Sequence, residues 1–274
     1  MMRIPSKIPA LPSDMDLTFY RETNADLAHM SDGVALAHYR DHGEREGRQT
    51  SPAASREGFL ETILARHEGS LLEIGPFCSP LARGPHVRYL DMLNAEQLRK
   101  RAEEIGADHA GCPEHIDYVG SIDQITDTFD GVVSCHAIEH QPDLVSHLRQ
   151  VGRLLEPGGL YYLIIPDKRY CFDANIPPST IAGVLQAYHE RRTHHTLASV
   201  IEHRALTVHN DPGRHWSGEA SGVTAEDQCR RTQTALKEYR SAGNGYIDVH
   251  AWYFTPSNFR TIIEVLGGLG LTGR

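Results

Sequence analysis

Five short apolar segments separated by helical stretches constrain the fold of this chain more than any other feature. The segments are rich in Val, Ile and Tyr, and they cover residues 71–75, 87–91, 115–120, 129–135 and 160–166. Amphipathic stretches such as AEQLRKRAEEIG and PDLVSHLRQVGRLL lie between them. Because strands that alternate with helices form parallel βαβ units, the pattern predicts an α/β fold with a doubly wound, mostly parallel sheet.

Composition excludes several classes of partner. The chain has 27 Lys and Arg against 36 Asp and Glu, a net charge of −9, and no basic block, so we expect no nucleic-acid binding. The longest apolar run, residues 160–165, is far shorter than the roughly 20 residues that span a bilayer. The first residues lack the apolar core of a secretory signal. Five scattered cysteines without a C-x-x-C pair predict reduced thiols and a cytoplasmic protein.

The chain divides into two predicted parts. Residues 1–55 read as an N-terminal extension with short helices and a linker, and residues 56–274 as the main domain. Within it the strand–helix rhythm breaks at residues 168–249, a mostly helical insertion after the fifth strand, and we expect residues 250–270 to return to the sheet. Parallel sheets bind ligands at the carboxyl ends of their strands, so we predict that this insertion is a lid over the ligand.

The first two strands end in residues suited to bind a nucleotide. LLEIGPF carries Glu73 on the strand and Gly75 directly after it, and glycine lets a backbone approach a ligand closely. Asp91 ends the second strand, VRYLD, where an acid can accept hydrogen bonds from both ribose hydroxyls. No G-x-G-x-x-G pattern follows the first strand, which argues against a nicotinamide dehydrogenase.

Together with the run FDGVVS…IEH…L…RLLEPGG, these features resemble the class I S-adenosylmethionine-dependent methyltransferases, over residues 56–166 and 250–270. The resemblance implies a Rossmann-like fold with S-adenosylmethionine as the cofactor. The family's loop usually has further glycines where this chain has Phe77, Cys78 and Ser79. The cofactor-binding residues that it implies are Glu73, Gly75, Pro76, Phe77, Asp91, Met92, Ser121, Ile122, Cys135 and His136.

The implied reaction is methyl transfer to a small-molecule, sugar or glycan acceptor, with oxygen as the expected target. A hydroxyl acceptor needs its proton removed, a role for His or Asp. The candidate catalytic residues are His136, His140 and Asp167, with His136 preferred because it directly follows the fourth strand. Arg169 is read either as a clamp for a phosphate or carboxylate or as half of a surface ion pair.

His136, Glu139 and His140 are spaced i, i+3 and i+4, so on a helix they would share one face. The similar segment of ubiquinone-pathway O-methyltransferases has Glu in place of His136, and there the trio holds a divalent metal. We assign no metal ligands here and predict a structural or general-base role for the trio, with a divalent metal as the alternative.

The insertion is rich in histidine, and this leaves two interpretations open. One is a solvated polar face, and the other places one or two imidazoles in the acceptor site. The residues are His189, His194, His195, His203, His209 and His215.

The segment ending HY-x3-G-x2-EGR, residues 38–48, resembles short helical attachments of bacterial polysaccharide-biosynthesis enzymes. That resemblance points to glycan biosynthesis and a glycan acceptor. The alternative is a small helical cap that packs on the main domain.

A second function class stays open, a methyltransferase-like binding scaffold with little or no catalysis. The resembling family normally continues after the TPSNFRTIIEVLGGLG helix with a closing pair of antiparallel strands, and this sequence stops at Arg274. An uncovered sheet edge would accept a partner or a second copy, so a homo-oligomer is an alternative to a monomer.

Overall fold

The computed structural model describes residues 15–51, 55–218, 222–243 and 245–272. Residues 1–14 of the predicted N-terminal extension and residues 52–54 of its linker lie outside this description. The chain forms two compact units, Met1–His67 and Glu68–Arg274.

The first unit is helical. It contains α1 (Leu17–Thr23), α2 (Asp32–His38), a π-helical turn (Tyr39–Gly43) that continues into α3 (Glu44–Glu46), and α4 (Arg56–Thr62). Asp16 begins α1 by accepting the N–H of Phe19, and Gly47 ends α3 with a φ of +70°. The side chains at its centre are those of Tyr20, Leu27, Ala35 and Tyr39.

The second unit contains a parallel sheet. Its strands are β1 (Leu71–Ile74), β2 (Val87–Asp91), β3 (Tyr118–Val119), β4 (Phe129–Cys135) and β5 (Leu155–Ile164). They are ordered β3-β2-β1-β4-β5, and every pair is parallel. The chain therefore winds outward from β1 in one direction and from β4 in the other, which confirms the predicted doubly wound α/β fold.

Seven helices of the second unit lie in the described residues. They are α5 (Ala95–Glu104), α6 (Leu144–Leu154), α7 (Ile181–Glu190), α8 (Leu197–Leu206), α9 (Pro212–Trp216), α10 (Ala225–Ala242) and α11 (Pro256–Gly268). Asn94 and Gln97 form a capping box at the start of α5, and Thr255 and Asn258 form one at the start of α11. None of the helices in the described residues is long and apolar enough to cross a bilayer.

Two apolar clusters hold this unit together. In one, Leu72 of β1 and Val132 of β4 pack with Leu154 of α6, and all three are fully buried. In the other, Leu144 of α6 meets residues of α7 and α11, together with the buried Trp252. These strands and helices thus pack together because each buries its apolar side in one or both of these two clusters.

The insertion is helical, as its sequence predicts, and it includes α7 to α10. Val200 of α8 and Ala235 of α10 form a small core with Ile247 and Val249. Arg204 reinforces this packing by donating two hydrogen bonds to the Glu238 carboxylate, each 2.9 Å long. Helices α8 and α10 therefore pack against each other and against residues 247–249, which end the insertion.

The structure differs from the sequence prediction in the final segment. Residues 250–254 form no strand, although we predicted that they return to the sheet. They run instead as an extended segment held at two points, because Lys168 donates its N–H to the carbonyl of Phe254 (2.8 Å) and Ser179 donates its N–H to Tyr253 (2.9 Å). The side chains of Trp252 and Phe254 pack in the cluster formed with α6, α7 and α11, and the segment pairs with no strand in the described residues.

The Glu-Pro-Gly-Gly stretch, which precedes the predicted fifth strand at residues 160–166, lies within β5. Leu155 is paired with Phe129 and Leu160 with Gly131, so four residues of β5 lie opposite the single residue Asp130. This is a bulge, and Gly158 supports it with a φ of +89°.

The cysteines also differ from the prediction of reduced thiols throughout. Cys78 and Cys112 form a disulfide across 34 residues, beside the buried Ala102. Cys135, Cys171 and Cys229 lie outside it. Sequence spacing alone did not identify the pair, because the two cysteines are brought together by the packing of the loop after β1 against the loop after α5.

We expect alkylation of the unfolded, unreduced chain to modify three of its five cysteines, and all five to react after reduction. Peptide mass spectrometry should find residues 78 and 112 in one linked species, and Cys112→Ser is the control that releases Cys78. Modification of all five thiols without reductant would contradict the pairing.

Candidate functional site

The register of the central strands places the predicted site residues at one edge of the sheet. Ile74 at the end of β1 is paired with Ser134 of β4 on one side and with Leu90 of β2 on the other. The loops that follow these three strands therefore begin side by side. This is the edge where the winding direction reverses and where such sheets bind ligands.

The loop after β1 has an unusual backbone. Gly75 has a φ of +70° and donates its N–H to the carbonyl of Leu90 (2.9 Å), while Phe77 has a φ of +43°. A bulky residue in the left-handed region costs about 1–2 kcal/mol, and such strain concentrates at functional sites. Ser79 closes the turn by donating its N–H to the carbonyl of Pro76 (3.0 Å).

Glu73 holds the far end of this loop. Its side chain is 2% exposed, and its two carboxylate oxygens accept the N–H groups of Leu81 (2.7 Å) and Ala82 (3.1 Å). These two hydrogen bonds thus fix the path of the loop. Direct contact between Glu73 and the cofactor stays a prediction.

Asp91 lies at the end of β2, facing the loop after β1. Burial raises the pKa of its carboxyl, and the backbone N–H groups of Leu93, Phe77 and Met92 partly counter this by lowering it. The Leu93 N–H lies 3.1 Å from Oδ1. A half-buried carboxylate beside a strained glycine loop is an acceptor for the hydroxyls of a ribose.

The other predicted adenine neighbours differ in exposure. Met92 is 56% exposed, and Ser121 is an exposed residue that precedes a short 3₁₀ turn. Ile122 points inward instead and packs in the sheet core with Leu72 and Leu154. Of the two residues predicted after β3, Ser121 is therefore the one whose side chain is available to a ligand.

Cys135 and His136 end β4 at the same edge. His136 donates its N–H to the carbonyl of Ile164 (3.0 Å), and its φ of +52° turns the imidazole away from the sheet, leaving the side chain 56% exposed. Its Nδ1 atom lies 3.6 Å from the buried Oε1 atom of Glu139. Phe77 and His136 are thus two of the three non-glycine residues with positive φ in the described part of the chain.

His140 does not share a helix face with His136, because residues 138–140 form a 3₁₀ turn rather than an α-helix. Its Nδ1 atom lies 3.3 Å from Oδ1 of Asp248, at the end of the insertion. Burial lowers the pKa of His140, but the Asp248 and Glu139 carboxylates outweigh this effect and raise it above the ordinary value. The same contact lowers the pKa of Asp248 to about 2.

Asp167, the third catalytic candidate, is paired with a neighbour. Arg169 donates from Nε and Nη2 to both of its carboxylate oxygens, at 2.5 to 3.1 Å. This is the ion-pair alternative for Arg169, and it makes Asp167 a weaker candidate for a free base.

The insertion histidines separate into two groups. His189 and His194 are exposed, whereas burial lowers the pKa values of His195 and His203 to about 4. The buried pair lies near His250, whose Nδ1 atom lies 2.7 Å from Oδ2 of Asp173, the acceptor of this hydrogen bond. Sequence reasoning singled out neither Asp173 nor His250, since nothing in their spacing indicates that they meet.

A cavity of about 560 Å³ lies at the opposite, amino-terminal edge of the sheet, lined by residues that include Ser70, His86 and Phe129. It contains none of the predicted site residues. The left-handed backbone, the half-buried acid and the exposed imidazole all mark the other edge, and we assign the site there.

Residues 75–163, from the glycine of the loop to the end of β5, match the family model for a methyltransferase domain. The match covers 89 of the chain's 274 residues. A comparison with curated proteins finds no match.

Solved structures similar to part of this chain include three bacterial proteins. The CcbJ methyltransferase from Streptomyces caelestis is 19% identical (TM-score 0.30), with 41% of this chain and 48% of that chain covered. An S-adenosylmethionine-dependent methyltransferase from Clostridium acetobutylicum is 12% identical (TM-score 0.31; 51% and 60%). DesVI from Streptomyces venezuelae is 15% identical (TM-score 0.32; 47% and 55%). The chain thus spans about half the length of these structures.

We expect Glu73→Ala to lower the free energy of unfolding by about 1–3 kcal/mol, because it leaves the Leu81 and Ala82 N–H groups without their acceptor. Urea denaturation followed by circular dichroism measures the change. Glu103→Ala, on the exposed face of α5, is the matched control and should stay within about 0.5 kcal/mol of wild type. Equal stability of Glu73→Ala and the control would show that the carboxylate does not hold the loop.

Proposed function

We propose that this chain transfers the methyl group of S-adenosylmethionine to an oxygen of a small-molecule, sugar or glycan acceptor. The observation that carries the proposal is the meeting of three loops at one sheet edge. They bring the left-handed Gly75–Phe77 backbone, the Asp91 carboxylate and the exposed His136 imidazole to the switch point of the sheet.

The predicted cofactor-binding residues act mainly by holding the cofactor in place. The Gly75 backbone admits the methionine part of the cofactor, and Asp91 accepts hydrogen bonds from the ribose hydroxyls, with Met92 and Ser121 beside the adenine. Cys135 and His136 then lie next to the sulfonium. Methyl transfer is an in-line displacement, so holding donor and acceptor in line and excluding water supplies much of the catalysis.

The insertion supplies the remaining wall. The Tyr246 hydroxyl donates a hydrogen bond to Asp248 (3.3 Å). The negative charge of Asp91 is one of the factors that raise the pKa of Tyr246, so the end of the insertion lies near the proposed ribose-binding acid. This supports the role of a lid for residues 168–249. The main domain then comprises residues 56–274, with residues 1–55 as an attachment.

His136 is the preferred general base. Its imidazole is exposed at the end of β4, and the Glu139 carboxylate behind it, 3.6 Å from Nδ1, favours the imidazolium that forms when a hydroxyl proton is taken. His140 has Asp248 beside it and is enclosed further, which makes it a positioning residue for the acceptor side of the site.

The acceptor class and cell location are the least constrained parts of the proposal. A glycan acceptor rests on the resemblance of residues 38–48 to segments of polysaccharide-biosynthesis enzymes. A cytoplasmic location rests on the sequence, and the Cys78–Cys112 disulfide is uncommon in that compartment, so fractionation of cells is the direct check. Assembly into a homo-oligomer stays a prediction that light scattering tests.

We expect the wild-type chain to bind S-adenosylmethionine and its demethylated product in a calorimetric titration. Asp91→Asn should weaken binding by roughly 10-fold or more, since a hydrogen bond from a ribose hydroxyl to a charged carboxylate contributes about 1.5–3 kcal/mol. Asp227→Asn, at the exposed start of α10, is the matched control and should bind as wild type does. No heat at millimolar cofactor, or equal affinity in both variants, would contradict the assignment.

We expect His136→Ala to reduce turnover by about 10²–10⁴-fold while cofactor affinity changes little, because the loss of a general base affects the chemical step. The assay follows release of the demethylated cofactor with a panel of sugars and nucleotide sugars. His86→Ala, exposed at the opposite sheet edge, is the control. Turnover within about threefold of wild type would place proton removal elsewhere, and cofactor binding without any turnover would favour the scaffold alternative.

A further inference from the structure

The Glu139 carboxylate is buried without a hydrogen-bond partner. Its side chain is 1% exposed, and neither carboxylate oxygen has a hydrogen-bond partner in the described part of the chain. Taking an ionised carboxylate out of water costs several kcal/mol unless a cation or hydrogen-bond donors compensate. A carboxylate at this depth therefore calls for a positive charge beside it.

Two imidazoles stand next to this carboxylate. The rings of His140 and His250 meet edge to face, with centroids 4.6 Å apart. One ligand atom from each of Glu139, His140 and His250 lies within 4.8 Å of the other two. Metal–nitrogen bonds of about 2.1 Å in a tetrahedral site place neighbouring ligand atoms about 3.4 Å apart, so small side-chain rotations suffice to close this group on an ion.

Each imidazole has a carboxylate beside its Nδ1 atom. Oδ2 of Asp173 lies 2.7 Å from Nδ1 of His250, and Oδ1 of Asp248 lies 3.3 Å from Nδ1 of His140. The contact with Asp173 leaves the Nε2 atom of His250 for a ligand. In metalloproteins a second carboxylate behind the imidazole fixes its tautomer and orientation in this way.

The backbone fixes the third ligand beside the first two. The carbonyl of Glu139 accepts the N–H groups of both Ala251 (2.7 Å) and Trp252 (3.1 Å), and the Trp252 indole donates to the carbonyl of Gln141 (2.6 Å). These bonds hold His250 against the turn that carries Glu139 and His140. The group is thus built by the fold and does not arise from mobile surface side chains.

We propose that Glu139, His140 and His250 form a binding site for a divalent transition-metal ion. Two imidazole nitrogens and one carboxylate oxygen suit Zn²⁺ and similar ions, whereas Mg²⁺ prefers ligands that are all oxygen. Zn²⁺ is the ion that we assign. His136 is not part of the group: its imidazole is 56% exposed, and although its Nδ1 atom lies 3.6 Å from Oε1 of Glu139, it is not among the three residues whose ligand atoms all lie within 4.8 Å of one another.

A second group, Asp173, His203 and His250, also has ligand atoms within 4.8 Å of one another. It is the poorer site, because Asp173 and His250 already satisfy each other at 2.7 Å. In the first group the Glu139 oxygens accept no hydrogen bond in the described part of the chain, and the contact of Oε1 with Nδ1 of the exposed His136 is long, at 3.6 Å. Asp173 therefore acts behind His250, as a positioning residue.

The place of the site suggests its use. Glu139 follows His136 by one turn, so a metal held there lies beside the proposed acceptor pocket, where it would attract an acceptor oxygen. That role rests on the proposed function, whereas metal binding itself does not.

The test is zinc binding by the full-length chain after removal of metals with a chelator. Competition with a zinc-sensitive dye measures affinity, and Tm in the absence and presence of zinc gives a readout independent of activity. The variants are Glu139→Gln, His250→Gln and Asp173→Asn. His189→Ala, exposed on α7 and outside the group, is the matched control, and binding of the demethylated cofactor checks that each variant is folded.

We expect one tight zinc site in wild type and His189→Ala. Its affinity should fall at least 100-fold in Glu139→Gln and His250→Gln, and about 10–100-fold in Asp173→Asn. Zinc should raise the Tm of wild type but not that of Glu139→Gln, and without metal this variant should melt at or above wild type because it lacks the buried charge. Magnesium should not substitute.

Wild-type zinc affinity in Glu139→Gln and His250→Gln would overturn the proposal, as would the absence of a tight site in wild type. If metal-free Glu139→Gln melts well below wild type, Glu139 has a protein partner and the assignment is also wrong. Cofactor binding by the metal-free chain separates the two proposals, because it tests the methyl-donor site alone.

Discussion

The parallel pairing of β1 with β4 is the constraint on which the rest of the structure depends. It aligns Ile74 with Ser134, so the glycine loop and the His136 turn start at the same level of the sheet. Because β2 lies on the other side of β1, Asp91 reaches the same edge. A shift of one residue in either register would turn the loop residues to opposite faces and separate the acid from the glycine.

Two further sets of hydrogen bonds hold the loops that enclose the candidate site at this edge. The Glu73 carboxylate holds the glycine loop from beneath, and the Glu139 carbonyl holds the segment that returns from the insertion. In the proposed site the first lies on the side of the methyl donor, and the second brings His250 and Asp248 toward the side proposed for the acceptor. These two acceptors thus hold loop segments beyond the strand ends, where the backbone hydrogen bonds of the sheet stop.

The sequence predicted those parts of the fold that depend on local pattern. The predicted bounds of the strands at 87–91 and 129–135 agree with the structure to the residue, since their β-branched runs are bounded by turn residues. The same pattern predicted the acid, Asp91, at the end of β2. The predicted return to the sheet at residues 250–254 was wrong, because an apolar run packed between helices looks like a buried strand.

The histidine and carboxylate group was beyond sequence reasoning for a different reason. Glu139 and His250 are far apart in the chain, and their contact depends on where the insertion ends relative to β4. The i, i+3, i+4 spacing suggested that His136, Glu139 and His140 share a face, but the 3₁₀ turn separates His140 from His136, and only Glu139 lies next to both. Only the three-dimensional arrangement shows that Asp173 and Asp248 stand behind two imidazoles.

The central claim is that the methyl donor binds at the carboxyl edge of the sheet, across the β1–β4 switch point. A crystal structure of the chain with the demethylated cofactor tests it most directly. The account predicts ribose hydroxyls on the Asp91 carboxylate and the sulfur atom facing the His136 imidazole. A nucleotide bound instead in the cavity at the amino-terminal edge, beside Ser70 and His86, would contradict it.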